Sequence, residues 1–225
     1  EISECLVGSE MCIRDRNGDA SKDVVVQAPI EEVKPKVTTD KISSINTLIS
    51  TFHTEYGGIS SQERANNIEV CTKSINGTVL MPGETFSFNQ VVGERTEQRG
   101  YQSGPVIVGN QVESGLGGGI CQVSSTLYNT ILLGNINATE RMHHTMPSSY
   151  VPLGMDATVD WGNIDYKFKN TFSYPIYIEG IADGSSIIFN LYSNSELKKR
   201  TYSIWNEVYN TICLLYTSDA ADELD

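Results

Sequence analysis

Apolar residues recur every three or four positions in three stretches of the chain, the spacing of a helix with one buried face. The first stretch covers 42–52, and the second covers 61–75, where Ser61 can cap the helix. The third follows Cys121 and stops at Gly134-Asn135, a pair suited to a helix C-terminus. The pattern predicts three helices, the third of which buries four apolar residues: Val123, Leu127, Ile131 and Leu132.

From Glu84 onwards the pattern changes to short strands separated by turns. A hairpin is predicted across Gly109-Asn110 and a second across Asp183-Gly184. The strand candidates are 85–89, 105–108, a stretch from 112, 138–144, 157–161, 166–169, 175–181 and 186–192. A last candidate, 201–208, is a strand or the start of the next module. The chain is therefore predicted to be α+β, with N-terminal helices, a central helix and a mostly antiparallel sheet.

The two ends of the chain do not resemble protein sequence. Residues 11–16 read M-C-I-R-D-R, and residues 213–223 read C-L-L-Y-T-S-D-A-A-D-E, as in a translated sequencing adapter read from opposite strands. We expect 1–16 and 213–225 to be sequencing artefacts and exclude them from fold reasoning. Residues 17–40 are predicted to be a linker, 41–195 the domain, and 196–212 the start of a C-terminal extension. The natural protein is then expected to be longer at both ends.

Removing the suspect ends changes the charge and the cysteine count. They hold two arginines and eight acidic residues, so the formal net charge rises from −12 to −6. A mildly acidic domain without a basic stripe is not expected to bind nucleic acid. No stretch approaches the roughly 20 apolar residues of a membrane span, so membrane attachment would need an anchor upstream of this sequence. Two of the five cysteines lie outside the ends, Cys71 and Cys121.

The stretch around Cys121 carries the strongest chemical signal, since residues 115–128 read G-L-G-G-G-I-C-Q-V-S-S-T-L-Y. A run of glycines suits a sharp turn or a close approach of the backbone to a ligand. The cysteine follows at the predicted first turn of a helix, where unpaired N–H groups and the helix dipole favour a thiolate. Cys121 is therefore a candidate nucleophile beside an oxyanion site, for which the candidates are Gly117, Gly118, Gly119, Gln122 and Ser124.

A nucleophilic cysteine needs a base and a group that orients the base. The chain has three histidines, and two of them, His143 and His144, lie about twenty residues downstream of Cys121. Asp156 follows at the start of the next strand candidate. The order Cys, His, Asp is that of papain-like and transglutaminase-like enzymes, although order alone is an analogy. Neither a cofactor nor a metal is expected.

Simpler interpretations exist for several of these residues. Cys71 is expected in the core. A Cys71–Cys121 disulfide is an alternative in an oxidising location, and zinc held by Cys121, His143 and His144 is a weaker one, because the spacing matches no closed site. Ser124 can serve the first helical turn instead of reacting. His53 is expected at the surface. Trp161 and Tyr166 are expected in the core and Arg95 in an ion pair, as alternatives to lining a substrate groove.

Four segments together resemble one family. They are P-G-E-T-F-S-F-N at 82–89, G-G-G-I-C-Q-V-S-S-T-L-Y at 117–128, S-Y-V-P-L-G-M-D-A-T-V at 149–159 and Y-P-I-Y-I at 174–178. Their order from about residue 42 to 192 is similar to that of the VanW-like domain. The resemblance implies an extracytoplasmic protein of the cell wall or the anchored cell surface, in Gram-positive bacteria with glycopeptide resistance. It also implies an L,D-transpeptidase whose nucleophile is Cys121 and whose partners are peptidoglycan stem peptides.

The same resemblance selects between the histidines. The family has an H-x-H pair before the S-Y-V-P segment, whereas this chain has Met142-His143-His144. Aligned through the following segment, the second family histidine falls on His144, which is therefore the preferred base. His143 is the alternative if a bulge shifts the strand register. Tyr128, Arg141 and His143 are candidates for the substrate groove.

Three functions are compatible with these residues. The first is an acyl transferase that cross-links stem peptides, and the second is a wall peptidase or amidase that uses water as the acceptor. The third is a non-catalytic peptidoglycan-binding accessory protein, in which the Gly-Cys motif is structural.

Overall fold

The computed structural model describes residues 37–58, 60–108, 111–199 and 201–207, with side chains described outside 105–114. This part of the chain contains four helices and nine strands. The helices are α1 (Thr39–Ser43), α2 (Gln62–Ile75), α3 (Phe88–Val92) and α4 (Ile120–Leu133), and short 3₁₀ helices cover Glu97–Arg99 and Ser195–Lys199. The strands are β1 (Thr47–Glu55), β2 (Thr78–Leu80), β3 (Thr85–Ser87), β4 (Ser103–Val108), β5 (Gln111–Leu116), β6 (Ala138–Glu140), β7 (Lys167–Lys169), β8 (Ile176–Ala182) and β9 (Ser186–Ser193).

The main sheet has four antiparallel strands in the order β1-β9-β8-β2. Its β8–β9 hairpin turns at the predicted Asp183-Gly184 pair, where an Asp183 carboxylate oxygen accepts the N–H groups of Ser185 and Ser186. Two smaller sheets, β3-β7-β6 and the β4–β5 hairpin, complete the strands. The turn predicted at Gly109-Asn110 lies outside the described residues. The predicted α+β class with mostly antiparallel pairing is confirmed.

Helix α4 lies at the centre and contacts β1, β9 and α2. Its apolar residues Val123, Leu127 and Ile131 are fully buried, as the spacing predicts, whereas Leu132 is half-buried. Besides Ile120 and Gln122, its other buried positions are small and polar: Ser124, Ser125, Thr126, Asn129 and Thr130. Such side chains can be buried only when they are hydrogen-bonded. These bonds go to carbonyls of the helix itself and to three neighbouring segments: β1, β9 and residues 155–157.

The first helix prediction, over 42–52, is wrong. Helix α1 ends at Ser43, and most of the stretch is strand β1. The buried residues of β1 are Ser50 and Thr54, which hydrogen-bond the Thr130 carbonyl and the Thr126 hydroxyl of α4 at 2.7 and 2.8 Å. Because the inward face of this strand is partly polar, apolar and polar residues do not alternate along it as they do in most half-buried strands. Its apolar residues instead fall at the spacing of a helix.

Other boundaries also differ from prediction. The strand expected over 138–144 ends at Glu140, and that expected over 157–161 is reduced to the isolated bridges Met142–Thr158 and Asp160–Ile164. Residues 201–207 form no regular element. At the N-terminal side, α1 begins within the last residues of the expected linker. The start of the expected C-terminal extension folds as the Ser195–Lys199 helix, which contacts β1. Within the described residues, no helix is long and apolar enough to cross a membrane.

The glycines before α4 allow the helix to begin against α2. Gly119 caps the helix at φ 101°, in the region that side chains rarely adopt. A Cβ atom there would lie 3.0 Å from both the Arg64 Cγ and the Ile68 Cγ1 atoms of α2. The position therefore requires glycine for both its backbone angle and its space.

We expect Gly119→Ala to lower the free energy of unfolding by about 2–4 kcal/mol, since it adds overpacking to the cost of a positive φ. Gly162→Ala is the matched control, because Gly162 has φ 81° and an added Cβ atom would meet only open space within 4 Å. The control should lose only the backbone contribution of about 1–2 kcal/mol. Urea unfolding of both variants measures the difference, and equal losses would contradict the packing argument.

Candidate active site

Cys121 lies in the first turn of α4 and is half-buried. Its Sγ atom is 3.5 Å from the carbonyl oxygen of Val159, in the segment that follows Asp156. Cys121 and Cys71 are both free thiols, so the alternative disulfide is not formed. The predicted placement of Cys121 at a helix N-terminus is confirmed.

His144 and Asp156 form a hydrogen-bonded pair. The His144 Nδ1 and Asp156 Oδ2 atoms are 2.5 Å apart, and the His144 backbone N–H donates to the same oxygen at 2.6 Å. Their side chains are only 6% and 8% exposed. Because an ionised carboxylate only accepts, Nδ1 carries the proton, which leaves Nε2 as the basic nitrogen. The pair forms outside regular strands, close to the Met142–Thr158 bridge, although the sequence predicts His144 in one strand and Asp156 at the start of the next.

The electrostatics of the pair favour the charged form of each partner. Burial alone lowers the pKa of His144, but its interactions with Cys121 and with the Asp156 carboxylate outweigh burial, so the pKa is raised. Burial alone raises the pKa of Asp156, but hydrogen bonds from the backbone and the ring of His144 outweigh it, so that pKa is lowered. His144 thus interacts with both Cys121 and Asp156, which brings together the three residues predicted as catalytic.

Arg141 supports Asp156 from behind. Its Nε donates to the Asp156 carbonyl at 2.7 Å, and Nη2 donates to the Gly154 carbonyl at 2.6 Å and lies 3.5 Å from Asp156 Oδ1. The guanidinium also stands 4.8 Å from the centroid of the Tyr128 ring on α4. These contacts make Arg141 and Tyr128 positioning residues for the carboxylate.

The polar face of α4 holds the segment that carries Asp156. Ser124 Oγ donates to the Ala157 carbonyl at 2.6 Å, and the Ala157 N–H donates to Ser125 Oγ at 2.9 Å. Asn129 Nδ2 donates to the Met155 carbonyl at 2.7 Å. Asp156 lies between these anchors. The helix that carries the cysteine therefore also sets the position of the carboxylate.

The glycine run leaves backbone donors beside Cys121. The Gly117 N–H is used by the Gln102 carbonyl at 3.2 Å, and the Ile120 N–H by the Gly117 carbonyl at 3.2 Å. The N–H groups of Gly118, Gly119 and Cys121 have no hydrogen-bond partner among the described residues. Of the expected oxyanion candidates, Gly118 and Gly119 therefore keep a donor available, and Gly117 does not.

Two further candidates need correction. The Gln122 amide is buried and fully used, because its Nε2 donates to Thr54 Oγ1 and the Glu55 carbonyl, and its Oε1 accepts from Arg64. It has no N–H left for an oxyanion. Ser124 is completely buried, and its hydroxyl binds the Cys121 and Ala157 carbonyls. It positions the backbone and does not reach substrate.

His143 does not take part in the pair. It is exposed, and its Nδ1 atom lies 2.8 Å from the His144 carbonyl oxygen. With His144, Asp156, Met146 and Leu153 it lines a cavity of about 310 Å³, so a place at the rim of a substrate groove stays a prediction. His143 therefore does not replace His144 as the partner of Asp156, which was the alternative for a shifted strand register.

The other residues with simpler interpretations lie either in the core or at the surface. Cys71 is fully buried, which raises the pKa of its thiol to about 12 against the opposing charge of Arg95. Tyr166 is also fully buried and belongs to the core, whereas Trp161 is exposed and lies 5.7 Å from the Arg95 guanidinium. His53 is exposed, 3.8 Å from Glu55. No group of three His, Cys, Asp or Glu residues in the described ranges could hold a metal ion.

Sequence reasoning missed two residues beside Cys121. Arg64 donates to Gln122 and packs on the Gly119 cap. Arg64 and Tyr150 both line a second cavity, separate from the one beside His143. The pKa of Tyr150 is raised, first by burial and then by its interaction with Cys121. Tyr150 lies in the S-Y-V-P segment and could have been flagged from it. Arg64 has no such signal, because a polar residue on a helix is ordinary.

We expect iodoacetamide to label Cys121 in the native protein well before Cys71. Cys121 is half-buried and lies at a helix N-terminus, whereas Cys71 is inaccessible and resists deprotonation because its pKa is about 12. Peptide mass spectrometry after timed alkylation measures the two sites, and alkylation in denaturant is the control in which Cys71 becomes accessible. Equal labelling in the native protein would contradict the structure.

The His144–Asp156 pair predicts a pH-dependent stability. The stabilisation from His144 is complete below its ordinary pKa of about 6.5 and is lost as pH rises through the raised value. The stabilisation from Asp156 is present above its ordinary pKa of about 3.9 and is lost as pH falls through the lowered value. Asp156→Asn should therefore cost about 1.5–3 kcal/mol at pH 5.5, as for a charged hydrogen bond, and less at pH 9.

Urea unfolding at the two pH values tests this expectation. Asp40→Asn in α1 is the control, because Asp40 is exposed. A cost of Asp156→Asn that is the same at pH 5.5 and pH 9 would show that the charge of His144 does not contribute.

Comparison with known proteins identifies the domain. The family model described as "VanW like protein" matches residues 63–192. The chain is 41% identical to the uncharacterised protein YoaR of Bacillus subtilis (strain 168) over 179 residues, 80% of this chain and 59% of YoaR. It is 28% identical to the vancomycin B-type resistance protein VanW of Enterococcus faecalis (strain ATCC 700802 / V583) over 149 residues, 64% of this chain and 54% of that protein.

The chain thus spans between half and three fifths of the length of these relatives. No solved structure matches the chain, so the likeness to papain-like and transglutaminase-like enzymes stays a prediction from the order of Cys121, His144 and Asp156. The family match covers more than half of the sequence and every residue of the site. The chain belongs to the VanW-like family.

Proposed function

We propose that this domain is a cysteine-dependent acyl transferase that acts on peptidoglycan stem peptides, as an L,D-transpeptidase does. The observation that carries the proposal is the buried His144–Asp156 hydrogen bond next to Cys121. A nucleophile, a base and an orienting carboxylate in this arrangement are the parts that covalent acyl transfer requires. The name of the enterococcal relative, a vancomycin resistance protein, supports a substrate in the cell wall.

In the first half of the reaction, the Cys121 thiolate attacks the carbonyl carbon of the donor peptide. A C–S bond forms, and the negative charge that develops on the oxygen is stabilised by the free N–H groups of Gly118, Gly119 and Cys121. The C–N bond then breaks, and protonated His144 gives its Nε2 proton to the leaving amine, which departs as D-alanine. The acyl group remains on Cys121 as a thioester.

In the second half, the side-chain amine of another stem peptide attacks the thioester. His144 takes a proton from this amine, the new C–N bond forms, and the C–S bond breaks to return the thiolate. Asp156 keeps the imidazole in the tautomer with the proton on Nδ1, and Arg141 holds Asp156 in place. If water is the acceptor instead, the same residues hydrolyse the thioester, which would make the protein a wall peptidase.

This proposal places the domain outside the cytoplasmic membrane, where stem peptides are cross-linked. The proposed reaction needs no cofactor, because thiol, imidazole and carboxylate supply the nucleophile and the proton transfers.

We expect Cys121→Ala to abolish both D-alanine release and dimer formation from disaccharide tetrapeptides, with a loss of at least about 10³-fold. His144→Gln should lower the rate by about 10²–10⁴-fold, as for loss of a general acid–base. Mass spectrometry of the products separates cross-linked dimers from hydrolysed monomers and so decides between transferase and peptidase.

Cys71→Ala is the matched control, because this thiol is fully buried, has a pKa raised to about 12 and takes no part in the proposed steps, so the variant should retain activity. Full activity of Cys121→Ala would overturn the proposal. Binding of peptidoglycan without any product from the wild-type protein would indicate the accessory, non-catalytic function.

A further inference from the structure

A second cavity, of about 370 Å³, borders the start of α4 and shares no lining residue with the cavity beside the His144 pair. Thr54, Arg64, Gln122, Ser149 and Tyr150 line it, with His53 and Glu55 at its exposed edge. Neither the cavity nor Arg64 has a part in the acyl-transfer steps described above. Both lie next to Cys121, because Gln122 follows it in sequence and the Arg64 stem packs on the Gly119 cap.

Arg64 is held in a fixed position by neutral partners. Its Nη1 and Nη2 donate to Ser60 Oγ at 2.5 Å and to Gln122 Oε1 at 2.6 Å. Gln122 is itself anchored by Thr54 and the Glu55 carbonyl. Two of the five guanidinium N–H groups are therefore used for positioning, and three remain for a ligand.

The charge of Arg64 has no counterion among the described residues. No carboxylate in those ranges forms an ion pair with it, and Glu55 at the edge of the cavity pairs instead with His53. Burial lowers the pKa of the guanidinium, while the nearby Tyr150 opposes this. A half-buried cation without a partner is costly unless a ligand supplies the anion, and a planar guanidinium matches a carboxylate well.

Tyr150 adds a phenol hydroxyl to the same cavity. Burial raises the pKa of this hydroxyl, its interaction with Cys121 adds to the rise, and a hydrogen bond with Ser125 opposes it, so the hydroxyl stays protonated. The cavity therefore offers a cation and a neutral hydroxyl, and it is also lined by Gln122, the residue that follows the proposed nucleophile.

We propose that Arg64 and Tyr150 form the subsite that binds the free C-terminal carboxylate of the acyl donor. The proposal rests on the proposed function, and it names the donor class as peptides whose scissile bond joins their last residue. The leaving residue carries its carboxylate one carbon from the scissile nitrogen, so binding at Arg64 would place that bond near Cys121. A donor with a C-terminal amide, or with further residues, would lack this ion pair.

The experiment compares two donors that differ only in their C-terminus, a tetrapeptide acid and its amide. The wild-type protein should use the acid with a kcat/KM at least about tenfold higher, chiefly through KM. In Arg64→Met the ratio of acid to amide should approach one, and Arg64→Lys should keep part of the preference because it keeps the charge. Lys73→Met, at an exposed lysine on the same helix, controls for net charge and should keep the wild-type ratio.

The acid-to-amide ratio separates recognition from structural damage, since a distorted active site would slow both donors alike. Tyr150→Phe provides a second variant that keeps the ring and should lower the ratio by a smaller factor. Equal use of both donors by the wild-type protein, or an unchanged ratio in Arg64→Met, would overturn the inference.

Calorimetric binding of the same two peptides to Cys121→Ala distinguishes this inference from the proposed function. Turnover without a preference for the acid would leave the proposed function standing and remove the carboxylate subsite. Arg64-dependent binding of the acid without turnover by the wild type would support the subsite and remove the transferase. Absence of both binding and turnover for either peptide would overturn the subsite as well.

Discussion

The site depends on hydrogen bonds between the polar face of α4 and the backbone on both sides of Asp156. Ser124, Ser125 and Asn129 hold residues 155–157 against the helix that begins with the cysteine. Three buried side-chain contacts of this kind take the place of a regular strand in carrying the carboxylate. Because donors and acceptors must pair when they are buried, the segment has one favourable position on the helix. The distance between the thiol and the pair therefore follows from helix packing.

This arrangement connects the charges of the site in sequence. Arg141 bonds the backbone and contacts the carboxylate of Asp156, Asp156 bonds His144, and His144 interacts with Cys121. On this side of the site, Asp156 has partners of opposite sign in His144 and Arg141, whose attraction offsets the cost of desolvation. The raised pKa of His144 and the lowered pKa of Asp156 express the same coupling.

The other side of α4 is organised differently. There Gln122 hydrogen-bonds both β1 and Arg64 of α2. The Arg64 guanidinium lies beside a cavity and has no counterion among the described residues. The two sides of the first helical turn thus serve separate purposes in our interpretation. We propose that one side supplies the proton transfers at Cys121 and that the other recognises the donor. The glycines before the helix permit both, because Gly119 lets α2 and Arg64 approach the turn closely.

The sequence by itself determined the features that arise from local patterns. The capped helix α2, helix α4 with Cys121 in its first turn, and the Asp183-Gly184 hairpin were all predictable, because caps, glycines and apolar spacing act within a few residues. Strand β1 was not predictable, since its buried positions Ser50 and Thr54 are polar. Only the tertiary structure decided that Gln122 and Ser124 are consumed by packing and that Arg64 reaches the site. Those roles depend on partners 33 to 68 positions away, which no local pattern encodes.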